Sequence, residues 1–440
     1  MTDGGEYPRV LIVSVNPLSE TSNNGKTIAS FFKGWPRERL AQLYFHREVP
    51  TSPVCENYFR ICDEDLLSAL KRLRRPQGQR VHRGSDSPRL IPQTANDRLK
   101  RSRAVRLARA VLWAGALRLD AGPVREWLDE FDPELIFFVG GDATYLYPPV
   151  ERLAVRYGAA LTYYITDDYV LPAPVLNPFE LITRLWTRRA FRRTCARSRL
   201  VLTIGEAMSQ TYRERFGVES RAVMNMVALP PAHGDAHRSD VASPSGDLTL
   251  AYLGGLHSRR WAVLAELGRS VERARDRGNA VALEIYTAET PTPQIREALD
   301  RPPAVRFGGA LDANGVAERL SSADVLVHVE ASDRASKRVT LLSVSTKISE
   351  YLAAGRPILA IGPAEVASIA YLTQTGAAFV ASDTPDDMDR CLDELLGSAA
   401  DRSARAARAR VVAATNHDET VVRPRLHGWL RDAARDRVAP

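Results

Sequence analysis

The sequence has little cysteine, no long apolar run and few stacking aromatics. Its four cysteines, Cys55, Cys62, Cys195 and Cys391, show no metal-ligand spacing and are too few in 440 residues for a disulfide framework. They fit reduced thiols in a cytoplasmic protein. No apolar stretch approaches the roughly 20 residues that cross a bilayer, so any membrane association is expected to be peripheral, at the inner face of the membrane. The N-terminus is polar and leads directly into a strand pattern, which reads as the absence of a signal peptide. Aromatics make up 7% of the chain and do not alternate with the basic residues, and no nucleic-acid reader motif is present. No nucleic-acid partner is expected. The letters Gly25-Lys26-Thr27 invite a phosphate-loop reading, but that motif needs a glycine five residues earlier, where Glu20 stands.

What is present is ordinary globular composition, 45% hydrophobic and 26% charged, with a net charge of +7. The basic balance suits phosphate-rich ligands or anionic surfaces. The length exceeds one compact core and predicts two domains. β-Branched and apolar runs at 9–15, 40–45, 134–139, 160–165 and 201–204 alternate with helical patterns. The same alternation restarts at 248–253, 281–286, 305–307, 324–329, 358–361 and 377–380. Between the two series, 230–247 is rich in Pro, Gly, Ser, His and Asp and reads as a linker. Strand–helix alternation in both halves predicts an α/β protein of two doubly wound, Rossmann-like domains facing a cleft. The expected organisation is an N-terminal domain at 1–229 with a basic helical insertion near 50–130, the linker, a second domain at 248–398, and a helical tail at 399–440 that packs back toward the first domain. Within the insertion, 76–96 reads as a loop. A helix at 97–119 carries six basic residues in its first half and Val111-Leu112-Trp113-Ala114 in its second. It suits either an anionic membrane surface or plain solvent with snorkelling arginines.

The organising stretch is 345–361. Ser345 or Thr346 is placed to cap a helix start, Ile348, Tyr351 and Leu352 form one apolar stripe, Gly355 and Pro357 stop the helix, and 358–361 is a buried strand. Lys347 then lies in the first helical turn, where the helix dipole disfavours a cation by roughly 0.3–1 kcal/mol. A phosphate held at that helix start reverses the sign. Glu350 follows one turn on; a surface ion pair with Lys347 is the plain alternative. Gly254-Gly255 break a strand just before His257, Arg259 and Arg260. In open parallel sheets ligands bind beyond the carboxyl ends of strands, where Asp142, Asp167 and Asp168 also stand. A carboxylate there suits a substrate hydroxyl, with loop capping as the alternative.

Three segments, VLIVSVNPLSETSNNGKT, RLVLTIGEAMSQTYRERFGVESRAVMNMV, and LAYLGGLHSRRW with STKISEYLAAGRPILAIGP, resemble bacterial nucleotide-sugar glycosyltransferases of the two-domain GT-B fold. The resemblance is to the retaining branch (group 1, family 4-like) that builds cell-surface polysaccharide. It implies a hexosyltransferase moving a sugar from a nucleotide-diphosphate donor to a saccharide or lipid-linked acceptor, with no metal and no cofactor beyond the donor. It implies donor binding by Gly254, Gly255, Arg259, Arg260, Ser345, Thr346, Lys347 and Glu350, with Glu350 on the ribose and Arg260, Arg259 and Lys347 on the diphosphate. Gly25 approaches the donor from the first domain in such enzymes, and Asp167 or Asp168 is assigned to the acceptor hydroxyl. The pattern departs at Leu342, where the family's Glu-x7-Glu pair has its first Glu. A non-catalytic partner of another transferase, or a nucleotide-sugar 2-epimerase, shares the fold.

Overall fold

The computed structural model describes residues 7–20, 23–71, 76–84, 103–171, 177–229 and 248–435. The chain divides into two compact units, Met1–Val223 with Arg423–Pro440, and Met224–Val422.

Unit 1 is built on an eight-stranded sheet of β1 (Val10–Ser14), β2 (Leu40–Tyr44), β3 (Asn57–Arg60), β4 (Gln79–Val81), β5 (Leu135–Val139), β6 (Ala160–Ile165), β7 (Leu200–Thr203) and β8 (Arg221–Ala222). The order is β4-β3-β2-β1-β5-β6-β7-β8, and every pairing is parallel except β3 with β4. Strands β1, β2, β5, β6 and β7 are buried along their whole length, as sheets covered on both faces require. The helices of this unit are α1 (Asn23–Phe31), α2 (Asp63–Lys71), α3 (Arg103–Ala116), α4 (Pro123–Phe131), α5 (Tyr147–Arg156), α6 (Pro178–Arg197) and α7 (Glu206–Phe216). Asn177 starts α6 by accepting from the backbone N–H of Phe179 at 3.0 Å and Glu180 at 3.3 Å, with Pro178 in the first turn.

Unit 2 carries a six-stranded, all-parallel sheet of order β11-β10-β9-β12-β13-β14, from β9 (Leu248–Leu253), β10 (Val281–Tyr286), β11 (Val305–Gly309), β12 (Val325–Val329), β13 (Ile358–Ile361) and β14 (Ala378–Ala381). Its helices are α8 (Arg260–Asp276), α9 (Pro293–Leu299), α10 (Ala313–Ser322), α11 (Arg334–Thr340), α12 (Lys347–Ala354), α13 (Ala367–Thr375), α14 (Pro385–Gly397) and α15 (Ala399–Asn416). The strand order reverses between β9 and β12, which is where a doubly wound sheet opens a crevice at its carboxyl edge.

Four features differ from the sequence reading. Strand β4 lies inside the segment read as a loop at 76–96, because three residues suffice to pair with β3 and carry no period. Helix α1 begins at Asn23, so Gly25 lies within its first turn rather than ahead of it. A Cβ on Gly25 would sit 2.2 Å from the Pro17 carbonyl oxygen, so close backbone approach explains the glycine. The basic helix is described as Arg103–Ala116; the linker 230–247, and Arg98, Lys100 and Arg101 in the insertion, lie outside the described residues. The tail also divides. Helix α15 buries Ala406, Ala409 and Ala413 in unit 2, while its arginines donate to backbone carbonyls, Arg410 to Gly355 at 2.9 Å and Arg408 to Thr375 at 2.8 Å. From Arg423 onward, α16 (Glu419–Arg435) belongs to unit 1, where Arg423 Nε donates to the Ser30 carbonyl at 2.9 Å and Arg221 lies over the Trp429 ring at 4.9 Å. Among the described residues no helix is long and apolar enough to cross a membrane.

Candidate functional site

The carboxyl edge of the unit 2 sheet collects the charged groups. Strand β9 ends at Gly254-Gly255, whose missing side chains leave room for others. A Cβ on Gly254 would meet Lys347 Nζ at 2.5 Å and Tyr252 Oη at 2.6 Å. One on Gly255 would meet Glu289 Oε1 at 2.4 Å. The loop then turns through Ser258 and Arg259, both left-handed (φ 53° and 55°). Two consecutive non-glycine residues in that region store backbone strain of about 1–3 kcal/mol each. The turn starts α8 so that Arg260 points inward, while Arg259 stays exposed and reaches only to 4.0 Å from Asp333. The structure thus separates the two arginines that the sequence left paired.

Arg260 is held by four hydrogen bonds to three partners. Its Nη2 donates to both Glu330 oxygens at 3.1 Å, its Nε donates to the Val329 carbonyl at 3.2 Å, and its Nη1 lies 3.1 Å from His257 Nε2. His257 Nδ1 is 2.6 Å from Glu289 Oε1. Arginine has no acceptor, so His257 Nε2 must accept and Nδ1 carries the proton that it donates to Glu289. Glu330 directly follows β12 with its side chain 2% exposed, against 14% for Arg260. Burial alone would raise the Glu330 pKa, but His328 at 3.4 Å and Arg260 outweigh it and hold the carboxyl below its ordinary value.

Lys347 opens α12. No side-chain oxygen caps that helix: Thr346 already has helical backbone angles, and the Ser345 backbone N–H donates to Ser368 Oγ at 2.9 Å. The capping expected of Ser345 or Thr346 is therefore absent, and Glu350 is the one acid in the first turn of the helix. The half-buried Lys347 ammonium lies 5.9 Å from the Tyr252 ring centroid. Desolvation first, and then the neighbouring Arg260 charge, push its pKa down to about 8. Glu350, Glu330 and Glu289 act in the opposite direction. Glu350 is half-buried one turn along α12. Tyr351 Oη donates to the Leu253 carbonyl at 3.3 Å, tying α12 to the end of β9.

The structure therefore brings Gly254, Gly255, Arg260, Lys347 and Glu350 to one edge. Sequence reasoning missed the Glu289–His257 and Glu330–His328 supports of Arg260. The signal for Glu330 was available, since it follows directly on a buried parallel strand. In unit 1, Asp167 Oδ2 accepts from Thr166 at 3.1 Å and from Tyr169 Oη at 3.2 Å. Asp168 Oδ1 accepts from Val170 N, Leu171 N and Tyr212 Oη at 3.0, 3.1 and 2.9 Å, which is loop capping. Tyr169 lies near both Asp167 and Asp142, whose charges join burial in raising its pKa. Leu342 is buried, at the position where the family pattern has its first Glu.

No protein-family model matches the sequence, and no curated protein matches it. Solved structures do resemble it. HepE from Anabaena in complex with UDP-glucose matches with TM-score 0.59 and 11% identity over 97% of this chain and 100% of its own. Sucrose-phosphate synthase from Thermosynechococcus elongatus matches with TM-score 0.62 and 12% identity, over 96% and 98%. An α,α-trehalose-phosphate synthase (UDP-forming) from Burkholderia vietnamiensis matches with TM-score 0.58 and 15% identity, over 99% and 100%. The chain has the fold of these two-domain GT-B glycosyltransferases.

Proposed function

We propose that this protein is a glycosyltransferase that moves a hexosyl group from a nucleotide-diphosphate sugar to a saccharide or lipid-linked acceptor in cell-surface glycoconjugate synthesis, with retention and without a metal. The observation that carries the reading is the pair of cations, Lys347 and Arg260, held close together under partial burial at the uncapped start of α12. Two like charges in a low-dielectric pocket repel, and a diphosphate relieves that repulsion. As the sugar leaves, negative charge grows on the β-phosphate, and fixed cations stabilise it without reorganising. Glu350 is suited to accept hydrogen bonds from the ribose hydroxyls. Asp168 has one oxygen committed to three donors, so Asp167 is the better group to orient an acceptor hydroxyl. UDP-glucose in HepE and the UDP-forming activity in the name of the trehalose-phosphate synthase support the donor class. The test is release of free nucleoside diphosphate from a panel of nucleotide sugars incubated with a membrane-derived acceptor extract. Release that needs both donor and acceptor is expected; no release from any donor sinks the reading.

The lowered Lys347 pKa gives the site a pH dependence. Diphosphate needs the ammonium form. Above about pH 8 the free site loses that proton, and affinity for UDP or its analogue should fall toward tenfold per pH unit, with proton uptake on binding. In the unliganded protein the sign is opposite. Between about 8 and 10 the unfolded lysine stays protonated while the folded one does not, so this group's contribution to stability rises with pH. Calorimetric titrations from pH 7 to 9.5 check the first statement, and a flat Kd contradicts it.

A further inference from the structure

We propose that the solvent face of α6, with the adjoining face of α3, is a docking surface for an anionic lipid bilayer. The purpose of such docking rests on the transferase reading; the surface itself does not. In the first half of α6, Phe179 (44% exposed), Leu181 (48%), Ile182 (52%) and Leu185 (59%) stand in solvent. At 3.6 residues per turn they fall within an arc of about 160°. The opposite arc carries Thr187, Phe191 and Thr194, which are buried in unit 1. The two arcs are inverted from what a surface helix needs only over those first turns. Farther along, the solvent half carries Arg188, Arg189 and Arg192 instead. The one acid of the helix, Glu180, lies on the buried arc and pairs with Arg184 at 3.2 Å. One exposed face therefore changes from wholly apolar, over about 9 Å of axis, to wholly basic, over about 6 Å.

Helix α3 packs beside α6. It adds Val111 (55% exposed) and Leu112 (46%), while its Trp113 is buried and donates to Asp63 at 2.8 Å, with Arg109 on the same carboxylate. That anchoring fixes which side of α3 faces out. Large apolar side chains thus stand in solvent on two helices that touch, and a monomer in water rarely keeps such clusters uncovered. The charge decides the occupant. A second copy of this chain packed on the apolar end would leave the arginines without a partner, whereas an anionic leaflet is attracted by the arginines and accepts the apolar end into its headgroup–acyl boundary, to a depth of about 5–10 Å. The sequence left helix 97–119 between an anionic membrane surface and plain solvent; on this proposal α6 supplies the larger part of the docking face. The apolar end of α6 follows the loop from the carboxyl end of β6, where Asp167 lies, so docking brings that edge of unit 1 to the surface that holds a lipid-linked acceptor.

The test is sedimentation of the full chain, without nucleotide, with vesicles of pure phosphatidylcholine and of phosphatidylcholine containing phosphatidylglycerol. Stronger partition into the anionic vesicles is expected, weakened by raised salt. Each arginine is worth roughly fivefold in partition at an anionic surface. Arg188→Gln/Arg189→Gln/Arg192→Gln and Leu181→Glu/Leu185→Glu should each lower partition at least tenfold, with circular dichroism melting little changed, since Leu181, Leu185, Arg189 and Arg192 are exposed, Arg188 is half-buried, and Arg192 gives up its place 5.8 Å from the Phe216 ring. Equal partition of wild type and both variants overturns the proposal, as does failure to bind either vesicle. A wild-type dimer in light scattering that Leu181→Glu/Leu185→Glu dissociates also overturns it, and assigns the face to a second copy. Vesicle binding with no sugar transfer would remove the transferase reading and leave the docking surface standing.

Discussion

Replacing Lys347 with Met should remove half or more of the stabilisation that a nucleoside diphosphate gives this protein, while leaving the unliganded protein as stable as before or more so. Methionine keeps an unbranched chain beside Tyr252 and Gly254 and removes only the ammonium. In the free protein that ammonium is desolvated and faces Arg260, so its loss relieves a repulsion. In the complex it is a charge-assisted donor, worth about 1.5–3 kcal/mol, or roughly ten- to a hundredfold in Kd. A ligand at a hundredfold excess over its Kd stabilises the folded state by about 2.7 kcal/mol, and a ten- to hundredfold weaker Kd cuts that to about 1.4–0.4 kcal/mol, so the thermal shift with UDP or GDP falls by half or more in the variant. A nucleoside without phosphates serves as control and should behave alike with both proteins. If Lys347→Met keeps the full diphosphate shift, the ligand does not sit at the start of α12.

That a lysine belongs at this helix start was legible from the sequence because it violates a local rule. A first-turn cation opposes the helix dipole, and such violations concentrate where function overrides stability. The doubly wound architecture was legible for a different reason. Buried parallel strands read as continuous apolar runs, and 160–165, 248–253, 281–286 and 358–361 coincide with β6, β9, β10 and β13 residue for residue. What escaped was short or non-local. Strand β4 has three residues and exists only because β3 offers an edge. The division of labour between Arg259 and Arg260 depends on two left-handed residues, Ser258 and Arg259, whose side chains give no sign of that conformation. The Glu289 and Glu330 supports lie 29 and 70 residues from Arg260 in sequence, and spacing alone does not join them. Asp168 shows the opposite limit. Its place after a strand suggested chemistry, yet its Oδ1 closes a turn and holds Tyr212.

The largest loss of stability is expected from Arg260→Leu. Glu330 is nearly inaccessible, and two of its hydrogen bonds come from Arg260 Nη2 at 3.1 Å. Removing the guanidinium leaves a buried carboxylate with His328 at 3.4 Å and the Lys347 charge as its remaining polar neighbours, a loss of about 3–5 kcal/mol. The Glu330 pKa, now held low, should rise in the variant because one of the two groups that oppose burial is gone, so the penalty shrinks as pH falls and the carboxyl becomes neutral. Urea denaturation at pH 5 and pH 8 measures both effects. The double variant Arg260→Leu/Glu330→Leu removes the stranded charge as well and should recover most of the loss, since replacing both members of a buried pair is often neutral. Diphosphate binding separates the structural role from the binding role. If Arg260 served only to satisfy Glu330, the double variant would regain ligand affinity along with stability. On the reading proposed here it regains stability alone, because nothing in a leucine pair replaces the cation beside Lys347. A double variant that binds diphosphate as wild type does would strike Arg260 from the donor site.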